Sequence, residues 1–165
     1  MPQHTDQPEI VQLNNAEFLP QVVALLNEGH TVTLPLRGNS MRPFLRDGRD
    51  KALLAAVGTQ QPCVGDVVLA ETAPNHFVLH RIVYICGKQV TLQGDGNLGC
   101  EHCQLSHVHA KAIAFYRKGR KQPDSISGRK WRIYSWWWTR LYPLRRYLLF
   151  LLYPHRPRFL SLNKK

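Results

Sequence analysis

A serine held in a tight turn and a histidine carried on a strand are the two parts of an activated nucleophile. Ser40 lies in Leu36-Arg37-Gly38-Asn39-Ser40-Met41-Arg42-Pro43, with a glycine before it and a proline after it. Glycine opens backbone conformations closed to other residues, and proline fixes φ and removes a donor, so such a turn can hold one hydroxyl in place. Nucleophilic attack also requires a base within hydrogen-bond reach of that hydroxyl. His80, in Phe77-Val78-Leu79-His80-Arg81-Ile82-Val83, is the candidate base. An imidazole with a pKa near roughly 6.5 is mostly neutral at pH 7 and accepts a proton there. A carboxylate on its other nitrogen would fix the tautomer and stabilise the imidazolium. A third polar punctuation follows at Gly94-Asp95-Gly96-Asn97. The acyl-transfer chemistry of such a pair also needs a fixed donor for an oxyanion, and the backbone N–H of Ser40 is the natural one.

A rival constellation is Cys100-Glu101-His102-Cys103 followed by His107 and His109. A two-residue cysteine spacing is a common zinc half-site. The second half is poor, because His-x-His is tighter than the usual ligand spacing. The segment therefore reads as the loop after the aspartate punctuation, with no metal and no cofactor expected.

The elements that must position these residues are mostly strands. Phe18, Val22, Leu25 and Leu26 recur at helical spacing, which predicts a helix from Asn14 to Glu28 ended by Gly29. From His30 to Leu36 the residues alternate polar and apolar and deliver the chain to the Ser40 turn. Strands are expected at 51–57, 67–70, 76–85, 89–93 and 108–116, separated by Gly, Pro, Asn and Asp turns such as Gly87-Lys88. This pattern indicates a mainly β, barrel-like domain. The expected organisation is a tail and helix over 1–29, a catalytic β domain over 30–120, and a basic, aromatic extension over 121–165 that begins with a linker at 121–128.

Composition bounds the partners. The formal net charge is +11, from 22 basic and 11 acidic residues. More than half of the basic residues lie from Lys118 onward, against one acid, Asp124. That asymmetry suits anionic lipid, nucleic acid or an acidic partner. Residues 131–153 mix tryptophan, tyrosine, leucine and arginine around Pro143, the composition of helices lying in a membrane interface. The alternative is a pair of helices packed on the β domain. No base-reading motif is visible, so lipid is preferred over specific nucleic acid. No stretch reaches the roughly 18 apolar residues of a spanning helix. The start, Met1-Pro2-Gln3-His4-Thr5-Asp6, shows no secretory leader. A cytoplasmic or peripherally membrane-associated protein with four reduced cysteines is therefore expected.

Four short boxes occur in order: Gly-Asn-Ser-Met-Arg-Pro, Gly-Asp-Val-Val, His-Arg-Ile-Val and Gly-Asp-Gly-Asn. In that order they resemble the boxes of type I signal peptidases, whose wider superfamily includes the self-cleaving SOS repressors. The resemblance covers roughly residues 30–120. It implies a signal-peptidase-like β domain with a short N-terminal helix and C-terminal amphipathic helices. It also implies a serine endopeptidase that acts on a peptide or protein precursor. Bacterial members use a lysine in a Lys-Arg box, where this chain has His80 and Arg81. The Ser-His form is that of the endoplasmic-reticulum and archaeal branch. The resemblance thus implies Ser40 as nucleophile, His80 as general base and Asp95 as supporting acid. That branch has a second aspartate soon after the box. Here the stretch offers Glu101 as its one carboxylate, so Asp95 and Glu101 both stand as candidates. Many bacterial relatives place a hydroxyl two residues before the nucleophile, where this chain has Gly38. Lys51, Lys88 and Lys111 lie outside the Lys-Arg box, which argues against a Ser-Lys dyad. The alternative function is a non-catalytic or self-cleaving regulatory β domain with a basic tail that binds membrane or nucleic acid.

Overall fold

Alternating side chains and glycine-rich turns build one antiparallel sheet. The computed structural model describes residues 15–58 and 61–153. Helix α1 (Asn15–Asn27) comes first, and Val22 and Leu26, one turn apart, are its fully buried residues. Eight strands follow: β1 (Val32–Pro35), β2 (Lys51–Ala56), β3 (Val67–Ala73), β4 (His76–Cys86), β5 (Gln89–Gln93), β6 (Glu101–Gln104), β7 (Val108–Tyr116) and the short β8 (Asp124–Ser125). Helices α2 (Arg129–Arg140) and α3 (Arg145–Leu152) complete the described chain. The strand order is β1-β2-β7-β3-β4-β5-β6, with β8 added beside β7. Every pairing is antiparallel, and the sheet does not close. The barrel-like expectation is thereby corrected to an open sheet, with β1 and β6 left as edges.

Apolar residues fill both faces of the sheet. In β3, Val67 and Leu69 join one cluster, with Leu34, Leu54, Phe115 and Trp131, while Val68 and Ala70 join a second with Ile82, Val90 and Leu92. Burial on both faces is why β3 reads as an unbroken apolar run rather than an alternation.

Two local readings change. The stretch 101–104 is a strand, β6, because it completes the ladder of β5 from Leu92 opposite Glu101 to Gln89 opposite Gln104. Glu-His-Cys-Gln has no apolar alternation because an edge strand presents much of its surface to water. The linker at 121–128 is also tied down. Asp124 pairs with Arg117 at 2.6 Å, β8 pairs with β7, and Ile126 packs against the first core cluster.

Candidate functional site

The Ser40 turn is built by hydrogen bonds to two aspartates beyond it. Gly38, at φ 81°, donates its N–H to Asp47 at 3.0 Å. That left-handed conformation is the one glycine adopts without strain. The Asp50 backbone carbonyl accepts from Leu36 N–H, and its buried carboxylate accepts from Arg46 N–H at 2.9 Å and from Arg49 at 2.7 and 2.6 Å. Burial alone would raise the Asp50 pKa. The Arg49 guanidinium and the backbone donors outweigh it and hold the carboxyl below its usual range. Asp47 and Asp50 were not singled out from sequence. The signal that could have found them is Asp47-Gly48, a turn pair close behind the serine.

The turn is then clamped by the Gly94-Asp95-Gly96 segment. Gly96 N–H donates to the Ser40 carbonyl. A Cβ on Gly96 would meet the Asn39 carbonyl oxygen at 2.6 Å, and one on Gly94 would meet the Ser40 carbonyl oxygen at 2.5 Å and the Ser40 Cβ at 2.9 Å. Both glycines are therefore required by close approach of backbone. Gly94→Ala will force the turn to shift and cost about 1–3 kcal/mol in overpacking, read as a lower midpoint in urea unfolding.

The β4–β5 hairpin separates two sets of residues onto opposite faces. Arg81 stands opposite Gln93, and Ile82 opposite Leu92. One step past the last pair, His80 is level with Gly94. Side chains directly opposite in an antiparallel pair share a face, and alternate residues along a strand share it too. His80, Ile82, Leu92 and the Gly94 position thus lie on one face, joined by Glu101 of β6, which stands opposite Leu92. The space a Gly94 side chain would need is closed by the Ser40 carbonyl and Cβ and by the Asn97 side chain. His80 and Glu101 share one face of the sheet, and the Ser40 turn packs at its rim: its backbone lies against Gly94, level with His80, while Ser40 also lines a cavity with Leu69, Phe77 and Leu79 of the Arg81 face.

On that face His80 is 5% exposed and its Nδ1 lies 2.9 Å from Glu101 Oε2. With Nδ1–H donating to the carboxylate, Nε2 carries the lone pair, and it has no hydrogen-bond partner among the described residues. Burial lowers the His80 pKa, and the Glu101 charge raises it without cancelling the effect of burial. The ring is neutral at neutral pH, the state a base requires. The Ser40 hydroxyl and the His80 ring are not joined by a hydrogen bond in this structure. The Ser40 backbone N–H is likewise unpaired among the described residues.

Asp95 is on the other face, with Arg81 and Gln93. Its carboxylate accepts from Arg81 Nε at 2.8 Å and Nη2 at 2.7 Å, and from the Tyr134 hydroxyl at 2.9 Å. Arg81 is fully buried; burial would lower its pKa, but the Asp95 carboxylate more than offsets this and holds it above the ordinary value. Tyr134 is pushed far up by burial and by the same carboxylate, so it stays a donor. Trp138 Nε1 donates to the Asp95 carbonyl at 3.0 Å, and Arg81 Nη1 also reaches Ser135 Oγ. Three residues of α2 thus close over the Arg81–Asp95 pair. The carboxylate that meets His80 is Glu101, and Asp95 instead ties the Gly94–Gly96 clamp to the scaffold.

Beside the turn is an open cavity of about 140 Å³ lined by Leu34, Leu36, Met41, Leu69, Phe77 and Leu79, and by Arg37 and Arg46, with Ser40 on its wall. This is close to the volume of an apolar cavity that takes a benzene-sized ligand.

The cysteine–histidine segment is dispersed along β6 and β7. His102 Nδ1 lies 3.2 Å from Thr91 Oγ1, and Cys103 is half-buried beside the second core cluster, which raises its thiol pKa. All four cysteines are free, and no group of three metal-ligating side chains converges among the described residues. Searches against protein-family models and curated proteins return no match to this sequence.

Proposed function

We propose that the chain is a serine endopeptidase, similar to the signal peptidases, with Ser40 as nucleophile, His80 as base and Glu101 as the carboxylate that orients it. The observation that carries the reading is the buried His80–Glu101 pair at 2.9 Å, level with the Gly94 against which the Ser40 turn packs. The four ordered sequence boxes support it independently. In the proposed reaction Ser40 Oγ attacks a peptide carbonyl and its proton passes to His80 Nε2. The oxyanion accepts from the Ser40 N–H. The tetrahedral intermediate collapses as Nε2 protonates the leaving amine, and an ester remains on Ser40. Water, deprotonated by the same nitrogen, then releases the acid and restores the hydroxyl. The cavity beside Ser40, apolar at Leu34, Met41, Leu69 and Phe77 and edged by Arg37 and Arg46, suits one apolar side chain of the substrate next to the scissile bond, up to about the size of a phenyl ring.

The experiment is cleavage of a mixed peptide library by the full chain, read by mass spectrometry. It should give products with an apolar side chain at a fixed distance from the cut, and Ser40→Ala should give none. Cleavage that persists in Ser40→Ala would refute the assignment.

The pH profile tests Glu101. His80 must be neutral to act, so turnover is lost on acidification, with its limb below roughly pH 6.5 because burial lowers the pKa. Removing the Glu101 charge removes an upward pull. Glu101→Gln should therefore move the acid limb to lower pH and reduce kcat by about 10²-fold, through the loss of its support for the imidazolium. A limb that stays in place or rises would show that Glu101 does not act on His80.

A further inference from the structure

We propose that the outer face of α2 and α3 is a docking surface for an anionic lipid bilayer, with both helices lying along the membrane plane. The inference is independent of the peptidase reading. Each helix divides cleanly. In α2, Trp131, Tyr134, Ser135 and Trp138 turn inward, where Trp131 packs on Phe44 and Phe115. Positions 129, 132, 133, 136, 137 and 140 recur at helical spacing on the outside and carry arginine, isoleucine and tryptophan. In α3, Arg145 and Leu149 turn inward, while Arg146, Tyr147, Phe150 and Leu151 turn out. Trp136 and Trp137 are 50% and 54% exposed, and Phe150 and Leu151 are 72% and 77% exposed.

A monomeric protein rarely leaves so many large apolar side chains in water without a partner for them. The chemistry of the patch selects the partner. No acidic residue occurs after Asp124, so cations alone, the arginines and Lys130, rim the apolar surface among the described residues. Arg140 lies over the Trp136 ring at 4.7 Å, and Trp136 meets Trp137 edge to face at 4.9 Å. Indole rings at headgroup depth, aliphatic residues below them and guanidinium groups on phosphate are how an interfacial helix is anchored. A second copy of the chain would bring like charges together. A nucleic acid would leave the leucines and Phe150 uncovered. At 1.5 Å per residue α2 is about 18 Å long and α3 about 12 Å, against a hydrocarbon core of about 30 Å. No helix of the described residues is long and apolar enough to cross a membrane, so these two lie on the bilayer.

The test is co-sedimentation of the full chain with vesicles of phosphatidylglycerol mixed with phosphatidylcholine, and with vesicles of phosphatidylcholine alone. Wild type should bind the anionic vesicles, and more weakly as salt rises. The triple variant Trp136→Ala, Trp137→Ala, Phe150→Ala should bind at least about 10-fold more weakly, its melting temperature unchanged because all three side chains are exposed. Arg132→Glu, Arg140→Glu, Arg146→Glu should lose about 100-fold on anionic vesicles, each arginine near such a surface contributing about five-fold. Brominated acyl chains should quench wild-type fluorescence and leave the emission of Trp131 and Trp138 in the aromatic variant largely intact. Three results would overturn the proposal. One is equal sedimentation with both vesicle types. Another is retention of binding by both variants. The third is concentration-dependent self-association without lipid that the aromatic variant abolishes, which would give the face to a second copy.

Discussion

Ser40→Ala is expected to reduce peptide cleavage by about 10⁴- to 10⁶-fold while leaving the folded chain as stable as before. The size of the loss follows from the proposed chemistry: the substituted chain retains its oxyanion donor and its cavity but has no atom to form the ester. The absence of a stability cost follows from the structure. Ser40 is half-buried, and its hydroxyl makes no hydrogen bond among the described residues. Its backbone does the structural work, through the carbonyl that accepts from Gly96. Kinetic assay and thermal melting of the same preparation separate the two effects. A melting temperature lowered along with activity would mean that the serine is a turn residue first.

The second large effect is the reverse, a loss of stability. Asp95→Ala leaves Arg81 buried and unpaired, deprives Tyr134 of its acceptor, and loosens α2. Breaking a buried ion pair from one side costs about 3–5 kcal/mol, because the remaining charge stays desolvated. For a chain of this size that corresponds to a fall of about 6–20 °C in melting temperature. Glu101→Gln, on a partly exposed edge strand, should change the melting temperature by no more than a few degrees. Comparing the two variants asks which carboxylate serves the scaffold and which serves the histidine. If Asp95→Ala melts like wild type, the buried pair is not what holds the Gly94–Gly96 clamp in place.

Much of this arrangement was legible in the sequence. Alternation and turn residues locate six of the eight strands, all but β6 and β8, and the glycine and proline around Ser40 mark the turn. The division between Asp95 and Glu101 is not legible in the sequence. The Gly87-Lys88 turn alone would put Asp95 level with His80, but a bulge between Ile82 and Tyr84 shifts the register by one residue. The shift brings Gly94 level with His80 and turns Asp95 to the Arg81 face. Glu101 could not be placed either, because β6 is polar and carries no periodic signal to show that it is a strand. The C-terminal segment was read as either packed on the domain or turned toward a membrane. The helical spacing of residues 129–140 allows both at once: Trp131 and Trp138 belong to the core while Trp136 and Trp137 belong to the surface.

Activation of Ser40 by His80 is tested most directly by covalent labelling. A fluorophosphonate offered to the full chain loses fluoride as Ser40 Oγ bonds to phosphorus, and the adduct is located by peptide mass spectrometry. A single adduct on Ser40 is predicted, formed faster as pH rises through a value below roughly 6.5 and lost in His80→Ala. No adduct on Ser40, or labelling at the same rate in His80→Ala, would contradict the Ser-His assignment.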